Sequence, residues 1–348
     1  MSTPAFDVVI VGGGPAGMAA AIAAKQQTLS YVVLEKGALV NSLLHFPTDM
    51  VFFTTPDLLE IGGLPLVSPH EKPTRHEALK YYRRVADTYA LDIRFDERVL
   101  LITRGRGERG ETFLVKTSQR SGAEGEYEAA AVIIASGAYD IPNAVGVPGE
   151  DLPHVSHFYR EPHPHYRRHV VIVGGKNSAA EAALDLYRNG VASVTIVHRH
   201  AALGDSIKYW VKPDIENRIK EGSVKAKFET RVIEITPTHV VIDGPGGREP
   251  LPADAVYLMT GYRSDTRLLK SLGADVNDAD GTPALNPDTF ETTIPNLFVI
   301  GAAVAGKQSG KIFIENGRFH GAQAINVISS RVRSSRATPS APVSRPVR

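Results

Sequence analysis

The chain of 348 residues contains no cysteine. That absence excludes disulfide bridges, thiolate metal centres and any cysteine nucleophile. Redox chemistry, if the chain performs it, has to run on a bound cofactor. Charge of one sign is lacking too: Lys and Arg number 39 against 38 Asp and Glu, a net charge of +1. With both signs mixed along the chain, there is no basic footprint for nucleic acid and no cationic helix for a membrane surface. Long apolar runs are missing; those present are strand-like and far below a bilayer span. Residues 1–7 lead into a strand without a charged leader or cleavage site, so a cytoplasmic location is expected. His154, His157, His163, His165 and His169 crowd one segment. Their spacing fits no single helix face and no thiol accompanies them, so no metal site is expected. Hydrophobic content of 43% and charged content of 22% suit a soluble globular protein, and the length suits two domains.

What is present is an internal repeat. Residues 6–11 (FDVVIV) form a short β-branched run, ended by Gly12-Gly13-Gly14-Pro15-Ala16-Gly17. An Ala-rich helical stretch follows, then a second strand at 31–34 and Glu35. The pattern returns at 169–173 (HVVIV), Gly174-Gly175, a helical 179–188 and a strand at 193–197. Two strand–turn–helix–strand units in one chain predict two Rossmann-like dinucleotide-binding domains in an α/β protein. Between the repeats lie a polar loop at 41–73, a helix near 75–89, a hairpin around 105–125 and a strand at 131–135. Further strands are expected at 232–243, 255–259 and 297–300, then a helix over about 314–330. Residues 331–348, rich in Ser, Pro and Arg, read as a disordered, solvated tail.

The first glycine motif carries its context on both sides. Gly12 permits the tight turn, Gly14 lets backbone approach a pyrophosphate, and Gly17 lets helix and strand pack closely. The helix N-terminus offers free N–H groups and its positive dipole end to phosphate. Glu35 lies 23 residues after Gly12, where a carboxylate can accept hydrogen bonds from a ribose. With Pro15, Ala16 and Lys36 these residues are assigned to FAD. The second unit ends its strand in His198-Arg199-His200. Arg199 can bind a 2′-phosphate that an acid would repel, so NADPH is expected there. Gly174, Gly175, Lys176, Asn177, Ser178 and His198 complete that site, Lys208 is a further candidate phosphate contact, and the turns Ser136-Gly137 and Thr260-Gly261 fit junctions between the domains. The turn of 316–318 is expected to aim a helix N-terminus at the flavin N1–C2=O edge.

These features resemble the thioredoxin-reductase-like flavoproteins, in which an NADPH domain is inserted into a split FAD domain. More narrowly, the stretches NSLLHFPTDMVFF (41–53), KPTR (72–75), ASGAYDIPN (135–143), GGKNSA (174–179), IKYWVKPDIENR (207–218) and IFIENGRFHG (312–321) are similar to the bacillithiol-disulfide reductase (YpdA-type) family. The resemblance implies an FAD domain at 1–145 and 264–330, an NADPH domain at 146–263, and a cytoplasmic homo-oligomer that reduces a small disulfide. It also implies FAD contacts at Ser136, Gly137, Gly301, Ala302 and Ile314, and a nicotinamide-site contact at Gly261. Two departures matter. Many family members have a cysteine where this chain has Ala16, and thioredoxin reductases have Gly-Asp where it has Gly301-Ala302.

Without an enzyme thiolate, electrons must pass from flavin to acceptor directly. A disulfide so reduced needs a proton for its leaving sulfur, and His45 and His320 are the candidate donors. The rival readings are a ferredoxin/flavodoxin–NADP reductase, a flavin monooxygenase and a non-catalytic, nucleotide-loaded redox sensor. Partners are therefore a small-molecule disulfide or a small redox protein, with no nucleic acid and no membrane.

Overall fold

A computed structural model describes residues 3–107 and 110–337. The first sheet is built from β1 (Ala5–Val11), β2 (Tyr31–Leu34), β3 (Ile93–Arg94), β4 (Glu97–Gly107), β5 (Gly110–Gln119) and β6 (Glu124–Ile134), with α1 (Pro15–Gln26) crossing between β1 and β2. Its order is β3-β2-β1-β6-β5-β4. The four strands β3, β2, β1 and β6 run parallel, while β4, β5 and β6 form an antiparallel meander longer than the expected hairpin. The continuous apolar run of β1 is explained by cover on both faces. Val8 and Ile10 pack under α1, whereas Val9 and Val11 face the β4–β5 layer.

The segment 41–73 is less of a loop than its polarity suggests. It holds two short helices, α2 (Asn41–Leu44) and α3 (Pro56–Leu59), and buries Leu43, Phe52, Leu59, Ile61 and Leu66. They close over α4 (Arg75–Thr88), which starts in a Thr74–Glu77 capping box. The α4 hydroxyls of Tyr81 and Tyr82 bind the Ile61, Leu64 and Leu59 backbone.

The chain leaves the first sheet through β7 (Ile141–Pro142) and β8 (Val155–Ser156). It then builds β9 (His169–Val173), α5 (Asn177–Arg188), β10 (Ser193–Val197), α6 (Lys212–Lys220) and β11 (Lys225–Lys227). A meander of β12 (Arg231–Ile235), β13 (His239–Gly244) and β14 (Gly247–Pro252) precedes β15 (Ala255–Leu258). The second sheet, β11-β10-β9-β15-β8, is parallel throughout, with helices on one face and the meander on the other. The chain returns through β16 (Tyr262–Arg263), paired antiparallel with β7, so the outgoing and incoming segments form one ribbon. After α7 (Arg267–Ser271), β17 (Leu297–Val299) joins the first sheet beside the second half of β6. The first sheet is therefore split in sequence around the second.

The C-terminal part corrects two expectations. The last helix is broken: α8 covers only Ile314–Gly317, and α9 (His320–Ala337) is separate. It also runs well past residue 330. Ile325, Ile328 and Val332 form an apolar stripe against α1, Arg331 binds Glu291 and Asn296, and Arg336 donates to both oxygens of the fully buried Asp7. The Ser- and Arg-rich composition hid that stripe, so the disordered-tail reading fails for 331–337; the remainder of that tail lies outside the described residues. No helix among the described residues is long and apolar enough to cross a membrane.

Removing Arg336 leaves a buried carboxylate short of a charged donor, a loss of about 1–3 kcal/mol. Arg336→Ala should lower the urea midpoint accordingly, and an unchanged midpoint would count against a structural C-terminal helix.

Candidate functional site

The first glycine turn is fixed by sterics. Gly12 has φ +115°, and a β-carbon there would lie 2.5 Å from the carbonyl oxygen of Ala135 on the neighbouring strand end. A β-carbon on Gly17 would lie 2.0 Å from the Gly12 oxygen. By contrast, nothing lies within 4 Å of the β-carbon position of Gly14, so the mouth of α1 is open. Glu35 is 5% exposed and tied into this turn, accepting from Gly13 N at 2.7 Å and Gly37 N at 2.9 Å. Burial raises its pKa and these two N–H donors oppose the rise. Lys36 is ion-paired with Asp140 at the same edge. Beyond it, a cleft of about 510 Å³ is lined by Gly37, Leu39, Asn41, Phe95, Asp96 and Arg120, of which only Asn41 lies in a stretch singled out in the sequence.

Across the turn, Ser136 Oγ is buried without a hydrogen-bond partner, and the β-carbon position of Gly137 is open. A phosphate-bearing ligand lying over α1 would use both. The residues present thus fit FAD: an orphaned hydroxyl, a bare turn at a helix N-terminus and a buried acid at the end of β2. Ala16 packs directly on Gly301, whose β-carbon would fall 2.7 Å from that of Ala16. Gly301 in turn lies close under Gly317. Ala302 accepts from Ser264 Oγ at 3.3 Å through its carbonyl.

Ile314 opens α8. The exposed Asn316 amide turns back on its own segment, its oxygen accepting from Phe313 N at 2.8 Å and its nitrogen donating to Lys311 O at 3.1 Å. Arg318 turns away to the carbonyls of Asp57 and Glu60. The helix N-terminus lies at Ile314, where the sequence places it, and Asn316 and Arg318 of the region expected to face the flavin edge bind Lys311, Asp57 and Glu60 carbonyls.

The second turn repeats the first. Gly174 has φ +153°, and a β-carbon there would meet Met259 O at 2.6 Å, as Gly12 meets Ala135. The His198 ring lies 2.5 Å from the β-carbon position of Gly175, the place Glu35 takes beside Gly13. The imidazole pKa of His198 is lowered by burial, then by His200, Arg199 and Lys176. Ser178 and Lys176 are exposed at the α5 N-terminus.

Two expected phosphate ligands are otherwise engaged. Lys208 Nζ pairs with Glu181 at 2.6 Å, and Asn177 donates to Glu181 at 2.7 Å while accepting from Lys208 N at 3.3 Å. Glu181, one turn into α5, was the missed signal: an acid four residues after Asn177 draws both groups from the loop. Gly261, φ +88°, sits where Asn143 ties the ribbon together, through Gly261 O at 2.9 Å and Thr260 O at 3.3 Å. Contacts between the two units were not foreseen. Lys72 Nζ stands 3.3 Å over the Trp210 ring, Lys208 faces Phe53 at 5.9 Å, and at the ribbon Phe158 stacks on Tyr262 while Tyr139 packs edge-on against Phe158 and tilted against Tyr262.

The two candidate proton donors differ. His320 is 8% exposed, stacked on Phe290 at 3.9 Å, and accepts from Gly301 N at Nδ1. Burial brings its pKa down to about 4. It is a neutral, structural imidazole near pH 7, which corrects its expected role as an acid. His45, half-buried at the end of α2, uses Nδ1 as a donor to Asn41 O at 2.7 Å, which leaves Nε2 for exchange. Within 154–169, His157 faces Glu150 at 3.4 Å, His165 binds Tyr257 OH and His169 binds Ser193 Oγ, while His154 Nε2 is buried without a hydrogen-bond partner. No cluster of three or more metal-ligating side chains occurs among the described residues.

The family model described as pyridine nucleotide-disulphide oxidoreductase matches residues 9–301. The bacilliredoxin reductase Bdr of Bacillus subtilis (strain 168) is 39% identical, covering 93% of this chain and 97% of that protein. The structure of bacillithiol disulfide reductase Bdr (YpdA) from Bacillus cereus superposes with a TM-score of 0.90 at 38% identity, covering 94% of this chain and 99% of that one. A ferredoxin–NADP reductase of Ignicoccus hospitalis is 26% identical, over 85% of this chain and 89% of that protein.

Two outcomes follow from this geometry. Ser136→Ala removes an orphaned buried hydroxyl, so it should stabilise the flavin-free protein by about 1–3 kcal/mol while weakening flavin retention. The same sign of change in both forms would show that Ser136 does not face the ligand. His320 stays neutral in the fold but takes a proton once unfolded, so its contribution is complete above about pH 6.5 and lost as pH falls toward about 4. His320→Gln should flatten that limb of the stability–pH profile; a parallel profile would show that His320 is solvated.

Proposed function

The chain belongs to the pyridine nucleotide-disulphide oxidoreductase family, and within it we propose an NADPH-dependent flavoprotein that reduces a small disulfide of the bacillithiol type without an enzyme cysteine. That it is an oxidoreductase working with FAD and a pyridine nucleotide follows from the family. The observation carrying the finer reading is the pairing of two glycine turns of opposite character in a chain devoid of thiols. One turn is closed by the buried acid Glu35, the other by the cationic His198-Arg199-His200 run.

In this reading residues 1–145, together with 264 to the end of α9, hold FAD, and 146–263 hold NADPH. Gly12, Gly14, Pro15, Ala16 and Gly17 cradle the FAD pyrophosphate, Glu35 takes the ribose, Ser136 and Gly137 flank the phosphates, and Gly301, Ala302 and Ile314 border the flavin. Gly174, Gly175, Lys176 and Ser178 receive the NADPH pyrophosphate, Arg199 its 2′-phosphate, and Gly261 the nicotinamide half. Lys208 positions Asn177 and Glu181 instead of touching phosphate. FAD held there would supply two electrons received from the nicotinamide. Breaking the S–S bond with that pair would release two thiolates, one of which would take a proton that His45 Nε2 has received from solvent while the other takes its proton from solvent directly. A cytoplasmic homo-oligomer is the form proposed, as the similarity to bacillithiol disulfide reductases suggests.

A second reading, electron transfer to ferredoxin or flavodoxin, is favoured by the likeness to the Ignicoccus reductase and by the same lack of thiols. Anaerobic stopped-flow separates the two. The NADPH-reduced protein is expected to be reoxidised by bacillithiol disulfide faster than by ferredoxin. His45→Gln should slow that step about 10²-fold more than it slows reduction by NADPH. Rapid reoxidation by ferredoxin alone would select the second reading, and failure of NADPH to bleach the flavin would defeat both.

A further inference from the structure

The two units touch outside the ribbon that joins them, and that contact is built from cations on aromatic rings. On the first unit, Lys72 belongs to a segment pinned in place: Val51 and Thr74 form an antiparallel bridge, and Phe52 N donates to Pro73 O at 2.9 Å. Phe53 of the same segment packs edge-on against Phe313 at 4.9 Å. On the second unit, Trp210 lies between the buried Ile207 and Val211, and Val211 N donates to Lys208 O at 2.9 Å. Trp210 is the chain's one tryptophan, is 39% exposed, and packs edge-on against Tyr209 at 4.8 Å. Lys72 Nζ sits 3.3 Å from the centre of the Trp210 ring and 5.9 Å from that of Tyr209. Lys208 Nζ lies 5.9 Å from the Phe53 ring. The 207–211 segment also reaches the second glycine turn: Lys208 N donates to Asn177 Oδ1 at 3.3 Å and Lys208 Nζ pairs with Glu181, both on α5.

We propose that Lys72 and Trp210 are positioning residues for flavin reduction: their contact sets the orientation in which the second unit presents its nucleotide to the first. The inference rests on the reading of the two glycine turns as FAD and NADPH cradles. The paired strands β7 and β16 cannot by themselves fix that orientation, because small changes in backbone angle at a hinge swing a whole unit. The neighbouring contacts, Tyr139 and Phe158 against Tyr262 and Thr48 N to Arg160 O at 2.8 Å, are made by residues of the ribbon or beside it. A second point of contact outside the ribbon removes the remaining rotation. Both sides of that contact are anchored, Lys72 through the 51–74 bridge and Trp210 through Lys208 to α5. The contact therefore acts on the helix that carries the glycine turn. A partly exposed cation–π pair is weak enough to open and re-form, so the second unit is held in its working orientation without being locked there.

The test uses the FAD-loaded protein and two variants. Lys72→Met keeps an apolar stem over the ring and removes the charge, and Lys72→Arg returns a cation to the ring face. Three quantities are compared: the limiting rate of flavin reduction by NADPH in anaerobic stopped-flow, the Kd of NADP⁺, and quenching of the Trp210 emission by acrylamide. Lys72→Met should lower the limiting rate about 2- to 30-fold, the span set by an exposed to a desolvated cation–π contact. It should leave the Kd of NADP⁺ at the wild-type value and open Trp210 to more quenching. Lys72→Arg should restore both rate and quenching. A wild-type limiting rate in Lys72→Met would overturn the inference. So would a slower rate with unchanged quenching, since orientation would then not be the cause. A slower rate matched by weaker NADP⁺ binding would overturn it too, by putting Lys72 in the nucleotide site. Failure of NADPH to bleach the wild-type flavin would defeat the nucleotide reading itself, and it shows before any substitution is made.

Discussion

The carbonyl of Ala135, 2.5 Å from where any β-carbon of residue 12 would lie, is the constraint on which the first half of the molecule depends. It brings the ends of β1 and β6 together, forces the chain into a turn that only glycine adopts without strain, and points the N-terminus of α1 into open space. Glu35 can reach back to Gly13 only because that turn carries no side chain. Met259 repeats the arrangement against Gly174. Two identical steric solutions, one inserted within the other and joined by a two-stranded ribbon, give a single chain two nucleotide cradles. The remaining architecture covers the faces of the two sheets.

Chemistry diverges where the cradles are alike. In the first, the position above the glycine loop is occupied by a buried carboxylate held by two backbone donors; in the second, by an imidazole surrounded by cations. With no thiol available, the candidate proton donors read from the sequence are His45 and His320. Burial decides between the two histidines: His320 is enclosed by Phe290 and Gly301, whereas His45 keeps one ring nitrogen uncommitted. Lys72 over Trp210 and Lys208 near Phe53 hold the two units against each other, so the second cradle faces the segment that carries His45.

Much of this was legible in the sequence because it is written in local signals. Strand, glycine turn, helix and terminal acid lie within one short window, and each sheet strand buried on both faces reads as an unbroken apolar run. The split sheet was legible through the resemblance, since no local signal says that β17 returns to β6. What escaped depends on partners distant in sequence. Arg336 looks like a solvated tail residue until Asp7 is seen beneath it. Lys208 looks like a free cation until Glu181 takes it. His320 looks like a proton donor until Phe290 and Gly301 enclose it.

The central claim is that electrons reach a disulfide without an enzyme thiol, and Ala16 offers the most direct test because the resemblance noted in the sequence implies a cysteine at that position. The measurement is the anaerobic rate of bacillithiol-disulfide-dependent NADPH oxidation by the wild-type protein and by Ala16→Cys. The account predicts turnover in the wild type, with no requirement for the added thiol. An inert wild type beside an active Ala16→Cys variant would contradict it.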